Sequence, residues 1–475
     1  MTGLPAPGAA AADGLPQPAR THAMLVIILG LTLAVLDSSI VNLALPGIAR
    51  ELDANASQAI WVVNAYQIAA LVLLLPLAAL GDRLGYRRVY LVGMAVFVLA
   101  SVGAMLASSL SALIAARAVQ GIGAAGVMSV NAALVRLIFP RAILGRGVAL
   151  NSLVVAGATM AGPSVAAAIL SVASWPWLFA LNLPLGAFTL WRGRQALPGN
   201  PVKAGGAPIS LTDVALNIAM FTLIFIGGER LGVRAEAAGA AGAAGPAGVS
   251  GGWLLAAGLA VGVAFLRRQW RLQAPLFPVD LLRIPVFALS MASSVSAFCA
   301  QMLAFLALPF LLLEVHGRSH IEAGLLITVW PLGIVLVAPI AGRLIGRYAD
   351  GALGGIGMAV FACGLLALAF LPVHAGSADI VWRMALCGAG FALFQSPNNH
   401  TIVTTAPLHR SGAASGMLGT ARLTGQTLGA VLLAGIYAVW HQHDGRAESI
   451  AMLLAAGSAG VAGVCSTLRV GRARQ

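Results

Sequence analysis

The chain has 475 residues, of which 59% are hydrophobic and 9% are charged, with a formal net charge of +13. Ordinary soluble domains carry roughly 25% charged residues, so this composition excludes a soluble globular protein. The basic residues are scattered between apolar blocks and are not concentrated on one soluble face, which argues against a nucleic-acid-binding protein.

Apolar runs long enough to cross about 30 Å of hydrocarbon as helices begin near residue 24. Residues 1–23 are predicted to be a disordered cytoplasmic tail, and residues 24–198 a first half of six transmembrane helices. The predicted spans of this half are residues 24–45, 59–80, 89–106, 110–134, 147–172 and 175–190.

Residues 199–285 are predicted to be a linker that contributes two extra transmembrane helices, at 211–228 and 249–266. The Ala/Gly-rich stretch 235–252 between them has the composition of a flexible loop. Residues 286–468 form a second six-helix half, followed by a cytoplasmic tail at 469–475. Its predicted spans are residues 286–313, 323–342, 352–371, 380–399, 416–440 and 450–467.

The predicted fold is therefore an all-α integral membrane protein with two six-helix halves and two linker helices, which makes fourteen spans. Placing both termini in the cytoplasm puts most of the 28 Lys and Arg residues in cytoplasmic tails and loops, as the positive-inside rule requires. Short sequences also recur in order and at a nearly constant offset, which indicates parallel six-helix repeats around a central cavity. The recurring pairs are residues 44–46 with 307–309, residues 93–97 with 357–361, and Arg117 with Arg383.

Asp37 lies within the first span, where a charged side chain costs about 2.5 to 3.5 kcal/mol on insertion scales. A carboxylate that faces a cavity opening alternately to two sides could take up a proton on one side and release it on the other. The alternative interpretation is a structural aspartate that caps a neighbouring helix.

Residues 36–46 (LDSSIVNLALP) resemble the first-span motif of the fourteen-span drug:proton antiporter branch of the major facilitator superfamily. That resemblance implies a role for Asp37 in proton coupling.

Residues 81–88 (GDRLGYRR) resemble the cytoplasmic loop between spans 2 and 3 of the same superfamily. The resemblance implies a conformational gate in which Asp82 and Arg83 act as a latch and Gly85 makes the tight turn. The Gly that usually precedes the Asp by four residues is Ala78 here, which implies a slightly looser helix contact. A solvated basic loop is the alternative. The predicted gate residues are Asp82, Arg83, Gly85, Arg87 and Arg88, together with Gly162 and Pro163 of span 5.

Gly162 and Pro163 resemble the antiporter motif, in which a bend and small residues allow the tight helix packing that seals one state. The usual closing glycine pair is Ala166 and Ala167 here, which weakens the indication of an exporter.

In span 4, residues 117–121 (RAVQG) resemble a motif whose buried Arg influences protonation of the nearby carboxylate. A cation in hydrocarbon needs a partner. We expect Arg117 and Gln120 to face the cavity; the alternative places Arg117 at the outer interface.

Further similarity to the branch lies in residues 177–186, 396–399 and 421–429, so the resemblance covers nearly the whole chain. Residues 121–126 (GIGAAG) match the dinucleotide-binding fingerprint, but they lie within a span and follow no strand. We interpret these glycines as helix-packing residues.

These observations predict proton-coupled efflux of small amphipathic compounds by alternating access, in a bacterial inner membrane. The alternatives are an importer or uniporter of a polar metabolite and a transport-inactive sensor or scaffold. We expect no enzymatic activity, no cofactor and no metal. The expected partners are a small-molecule substrate, protons and the lipid bilayer, without nucleic acid; a periplasmic adaptor stays an open question. The candidate substrate-binding residues are Trp61, Asn64, Tyr66, Gln120, Gln301 and Gln395.

The charge of the substrate is left open by the sequence. No second carboxylate lies well inside the later spans, and span 13 carries Arg422 instead. A strong preference for dications is therefore not expected, while neutral lipophiles, monocations and organic anions all stay possible.

Overall fold

The computed structural model describes residues 13–54, 56–59, 61–200, 210–240, 251–272, 275–372, 374–440 and 445–472. In this part of the chain the regular structure is helical, and twelve helices are long and apolar enough to cross a membrane. The multi-pass helical prediction is therefore confirmed.

The described part of the first half contains eight α-helices, two of which are short. They are α1 (Ala19–Glu51), α2 (Ala56–Ala59), α3 (Trp61–Leu84), α4 (Tyr86–Met105), α5 (Leu110–Ile138), α6 (Leu144–Leu170), α7 (Pro176–Ala180) and α8 (Asn182–Ala196). Two linker helices follow, α9 (Leu211–Ala240) and α10 (Gly251–Gln269). The second half contains α11 (Val279–Leu282), α12 (Pro285–Phe310), α13 (His320–Leu344), α14 (Asp350–Ala369), α15 (Ser377–Thr405), α16 (Ser411–Val439) and α17 (Arg446–Arg472).

The twelve apolar helices include the linker pair α9 and α10 and leave out α8 and α16. Helix α8 has only 15 residues and packs on one side against α1 and α4, leaving Trp191 exposed. Helix α16 packs against α3, α5, α9 and α12, and a helix surrounded in this way tolerates polar residues that lipid would not, because neighbouring helices supply the partners.

Most helix ends differ from the predicted boundaries by a few residues, and three helices extend into a predicted tail or the predicted loop. The first helix begins at Ala19, before residue 24, and the segment ahead of it is held because the Leu15 amide donates to the Ile138 carbonyl at 3.0 Å. Helix α9 continues to Ala240, so the first part of the predicted flexible loop is helical; alanine is the strongest helix former. Helix α17 runs into the predicted tail as far as Arg472. The remaining parts of the predicted tails and loop, residues 1–12, 241–250 and 473–475, lie outside the described residues.

The two halves repeat one packing motif, in agreement with the internal repeat of the sequence. An added Cβ at Gly93 in α4 would lie 2.8 Å from the Cα of Gly126 in α5, and one at Gly357 in α14 would lie 2.7 Å from the carbonyl oxygen of Gly390 in α15. In both halves these glycines bring two helix backbones into contact. Close approach of this kind is how small residues hold membrane helices together.

Gly123 in α5 provides a test of this packing. An added Cβ would lie 2.4 Å from the backbone nitrogen of Phe97 in α4, so Gly123→Ala forces two helices apart. We expect the variant to lose about 1–3 kcal/mol of stability, the usual cost of overpacking, measured as a lower melting temperature of the detergent-purified protein. Gly157→Ala in α6 is the control because nothing lies within 4 Å of its added Cβ. An unchanged melting temperature in Gly123→Ala would contradict the packing.

Candidate functional site

The first polar site is built around Asp37, which is fully buried in α1. Its Oδ2 accepts a hydrogen bond from Arg117 Nη1 of α5 at 2.5 Å, which is also an ion pair between two buried side chains. Its Oδ1 accepts from Gln120 Nε2 at 2.8 Å and from Asn182 Nδ2 of α8 at 2.7 Å. Three helices of the first half are thus joined through one carboxylate.

Arg117 is held from several sides at once. Its Nε donates to the Val62 carbonyl at 3.0 Å, and Nη1 also donates to Gln120 Oε1 at 2.6 Å. Its guanidinium lies over the Tyr66 ring, 4.4 Å from the centroid. Its Nη2 is buried without a hydrogen-bond partner. Arg117 is therefore fixed by cation–π and hydrogen-bond contacts inside the first half.

The position of this site differs from the expected one. Arg117 and Gln120 were expected to face the central cavity, whereas both are fully buried inside the first half. Burial follows from their contacts, because both side chains need the Asp37 carboxylate as a partner in a low-dielectric interior. A proton added to Asp37 would remove the charge that holds Arg117, so protonation and the packing of α1, α5 and α8 are physically coupled.

Asn182 and Ser101 belong to the same site and were not singled out from the sequence. Ser101 Oγ accepts from Gln120 Nε2 at 2.9 Å and from Asn182 Nδ2 at 3.2 Å. Asn182 lies inside the recognised stretch 177–186, where an amide within an apolar run was an available signal. Ser101 offered none, because single serines are common in membrane helices.

The second polar site connects the two halves through Asp82 at the end of α3. Its carboxylate accepts from the backbone amides of Gly412 at 2.7 Å and Ala413 at 3.0 Å, both in the first turn of α16, and from the Tyr86 hydroxyl at 2.7 Å. A negative charge at a helix N-terminus is favoured by the helix dipole and by its unpaired amides. At Gly412 an added Cβ would lie 2.5 Å from Asp82 Oδ1, so only glycine fits there without a shift.

Further contacts between the halves lie at the same end of the bundle, which we call the closed end and define by Asp82, Arg136, Gly342 and Gly412. Arg136 Nη1 of α5 donates to the Ala406 carbonyl at 2.7 Å and to Ser411 Oγ at 2.9 Å. Gly342 of α13 packs on α6, because an added Cβ would lie 2.5 Å from the Ala149 Cβ. Two pairs of helices, α3 with α16 and α6 with α13, thus meet across the closed end. Sequence reasoning missed Arg136, because a basic residue at a span end is ordinary.

In the described part of the chain, the other predicted gate residues of the 81–88 loop make no hydrogen bond that reaches the second half. Gly85 precedes α4 with φ 108°, a left-handed conformation that favours glycine. Arg87 Nη2 donates to the Arg194 carbonyl, Arg88 is exposed and Arg83 is half-buried.

Gly162 of α6 packs against α1, since an added Cβ would lie 2.5 Å from the Ser39 Cβ. The Pro163 side chain lies outside the described residues. Gly162 therefore lies at a contact within the first half, whereas Asp82 lies at the contact between the halves.

The predicted substrate-binding residues differ in how far they are buried. Asn64 and Tyr66 are buried in α3, and the Tyr66 hydroxyl donates to the Ala34 carbonyl at 2.9 Å. Trp61, Gln301 and Gln395 are half-buried. The Gln120 amide donates hydrogen bonds to Asp37 and Ser101, and it is not available to a ligand in this conformation. Within the described chain, no group of three or more His, Cys, Asp and Glu residues is placed to hold a metal ion.

The second half has a buried polar cluster of its own, of which the recognised stretches of sequence included only Asn398. Arg469 of α17 donates from Nη1 to Asn398 Oδ1 at 2.7 Å and to Ser290 Oγ at 2.8 Å. Nearby, His400 Nδ1 lies 2.6 Å from Asp350 Oδ2. The cluster joins α12, α14, α15 and α17 and stabilises the second half internally.

Comparison with known proteins identifies the family and several relatives. The sequence model described as Major Facilitator Superfamily matches residues 27–430. An uncharacterised transporter of Escherichia coli K12, YebQ, is 48% identical over 98% of this chain and 98% of its own length. The riboflavin transporter RibZ of Clostridioides difficile is 27% identical over 87% and 88% of the two chains, and the multidrug resistance protein Stp of Mycobacterium tuberculosis is 31% identical over 87% and 75%.

The fold also matches a solved structure. The human organic anion transporter MFSD10 (TETRAN) superposes with a TM-score of 0.67 at 16% identity, over 95% of this chain and 100% of that one. At this identity the match establishes the fold alone.

Proposed function

The chain belongs to the major facilitator superfamily, and from this premise we propose that it is a proton-coupled exporter of small amphipathic molecules. The observation that carries the proposal is the fully buried Asp37–Arg117 pair, with N–O distance 2.5 Å, inside the half that also holds Asp82. A buried carboxylate paired in this way is a functional site by default, because its cost in the membrane is otherwise unexplained. Multidrug resistance protein Stp, at 31% identity, supports an exporter.

The proposal includes fourteen spans with both termini in the cytoplasm of a bacterium, in the inner membrane. The twelve apolar helices become fourteen when α8, preceded by α7, and α16 are counted. In support, α16 lies inside the bundle and α8 packs against α1 and α4. The closed end, which carries Arg87, Arg88 and Arg136, then faces the cytoplasm, in agreement with the positive-inside rule.

The proposed cycle starts from the conformation with the cytoplasmic side closed. A proton from outside neutralises Asp37, and the loss of that charge frees Arg117 and Gln120 from their present hydrogen bonds. Helices α1, α5 and α8 repack, the two halves rock, and Asp82 separates from the first turn of α16. The substrate enters from the cytoplasm when Asp37 releases its proton there.

Transport in inverted membrane vesicles tests this proposal. We expect an imposed proton gradient to drive uptake of at least one of three fluorescent dyes, a lipophilic amine, an acid and a neutral dye, and we expect Asp37→Asn to abolish that uptake. Asp379→Asn is the control, because it removes a half-exposed carboxylate that pairs locally with Arg383 at 2.5 Å. Gradient-driven uptake that persists in Asp37→Asn would show that Asp37 does not couple transport to protons. Uptake that does not depend on the gradient would contradict antiport.

A carrier of a specific polar metabolite is the second candidate, favoured by the 27% identity to the riboflavin transporter RibZ. Riboflavin is itself a suitable probe. Uptake of riboflavin into intact cells, with no dye transport in inverted vesicles, would favour this second candidate over the exporter.

A further inference from the structure

Arg422 is a cation in the middle of α16 that the proposed cycle does not use. It lies eleven residues after the first residue of the helix, Ser411, which places it about 16 Å from the closed end at 1.5 Å per residue. Its side chain is half-buried, and the guanidinium lies 5.9 Å from the centroid of the Phe298 ring of α12. This is the depth at which transporters of this architecture bind their substrates.

Arg422 makes neither an ion pair nor a hydrogen bond to any side chain or backbone group in the described part of the chain. Three other arginines of the second half that are at least half-buried are compensated. Arg410 pairs with Asp280 at 2.7 Å, Arg383 with Asp379 at 2.5 Å, and Arg469 donates to Asn398 at 2.7 Å. A cation at membrane depth with neither an ion pair nor a hydrogen bond is unfavourable, so an anion bound beside Arg422 would stabilise it.

The helix geometry directs Arg422 toward the first half. Ser415 lies seven residues earlier, on the same face of α16, and accepts a hydrogen bond from the Ala132 amide of α5 at 3.2 Å. Gly425 lies on the adjacent face, where an added Cβ would be 2.4 Å from the Val295 carbonyl of α12. Arg422 therefore extends between α12 and the first half, about two turns beyond the Ser415 contact and three turns beyond the closed end.

A buried cluster of aromatic rings lies beside this cation. Phe298 stacks edge-on against Phe391 with centroids 5.5 Å apart. Gln301, one turn from Phe298 on α12, and Gln426, one turn from Arg422 on α16, are both half-buried. A guanidinium beside an aromatic ring, with an amide one helical turn away on each of the two helices, supplies the contacts that a molecule with an acidic group and an apolar body needs.

We propose that Arg422 binds the acidic group of the substrate, so that the transported molecules are amphipathic organic anions. This inference rests on the proposed function and gives it a substrate class. The Asp37–Arg117 pair is neutral as a whole, so it does not offset the positive charge of Arg422. In a cell with a negative interior, the membrane potential also favours the exit of an anion.

Binding to the purified full-length protein tests the site independently of transport. Three matched pairs serve as probes in isothermal titration calorimetry: benzoate and benzamide, 1-naphthoate and 1-naphthamide, 9-anthracenecarboxylate and its amide. We expect the acid of at least one pair to bind about tenfold or more tightly than its amide, as a charge-assisted hydrogen bond predicts. Absence of a preference for the acid in all three pairs overturns the proposal.

The variants separate a binding role from a structural one. We expect Arg422→Gln to abolish the preference for the acid and to leave amide binding unchanged, while Arg422→Lys keeps part of it. Arg383→Gln is the control, because this arginine is already neutralised by Asp379. If Arg422→Gln retains the full preference, or loses acid and amide binding equally, Arg422 is not the anion-binding residue.

Transport of the same probes distinguishes this inference from the proposed function. Gradient-driven uptake of amides or amines but not of acids overturns the substrate class and leaves proton-coupled export intact. Acid binding that depends on Arg422, without gradient-driven transport of any probe, supports the anion site and contradicts the proposed exporter.

Discussion

Arg117→Met is expected to abolish gradient-driven transport and to destabilise the protein by about 3–5 kcal/mol, the cost of breaking a buried ion pair from one side. The substitution leaves the Asp37 carboxylate fully buried without its cation, whose nearest nitrogen lies 2.5 Å away in the native protein. Methionine fills most of the volume of the arginine side chain, so the loss of stability reflects the missing charge and not a cavity. The measurements are the melting temperature in detergent and dye uptake into inverted vesicles.

The double variant Asp37→Asn with Arg117→Met provides the control. Without either charge, the site keeps the amides of Gln120 and Asn182, and we expect most of the lost stability to return. Transport is expected to stay abolished, because no group is left to carry the proton. Normal stability and transport in the single variant Arg117→Met would show that the ion pair contributes neither to stability nor to proton coupling.

Asp82→Asn is expected to shift the protein away from the conformation with the closed end sealed, by a factor of about ten or more in population. The carboxylate accepts two backbone hydrogen bonds from α16, at 2.7 and 3.0 Å, and bonds to a charged group are worth about 1.5–3 kcal/mol each. An asparagine side chain retains one acceptor and loses the charge that the helix N-terminus favours.

Disulfide cross-linking across the closed end measures this shift. Cysteines introduced in place of Ala149 and Gly342 are adjacent in the present conformation, since an added Cβ at Gly342 lies 2.5 Å from the Ala149 Cβ. On a background without the four native cysteines, we expect rapid cross-linking when Asp82 is intact and at least about tenfold slower cross-linking in Asp82→Asn. Asp379→Asn, a carboxylate change outside the closed end, is expected to have no effect. Equal rates in all three proteins would show that Asp82 does not hold the halves together.

The fold was predictable because membrane insertion imposes a simple rule on sequence. A span must be predominantly apolar over about 20 residues, so apolar runs and basic loops locate the helices. The boundaries were less predictable. Helix α1 begins at Ala19 and α9 reaches Ala240, because helix ends are decided by local packing and propensity and not by the width of the hydrocarbon region.

The Asp37 site was predictable in part for the same reason. Charged residues are so rare in spans that Asp37 and Arg117 could be recognised from the sequence. Gln120 could be added because it lies one helical turn from Arg117. Asn182 and Ser101 required the structure, since they come from α8 and α4. Asn182 donates to Asp37 and Ser101 accepts from Asn182 and Gln120 only when α8 packs against α1 and α4 packs against α5 and α8.

By itself, the sequence determined the class of protein, the helical repeat and the buried charges, because these depend on the free energy of placing each residue in hydrocarbon. Tertiary structure alone decided which of those charges are paired. Arg117 and Arg383 are equivalent in the repeat, yet one holds Asp37 across two helices and the other pairs with Asp379 in its own helix. The unpaired Arg422 likewise became visible only in three dimensions. A residue's partners are set by which helices lie beside it, and that arrangement is a property of the packed bundle and not of any single span.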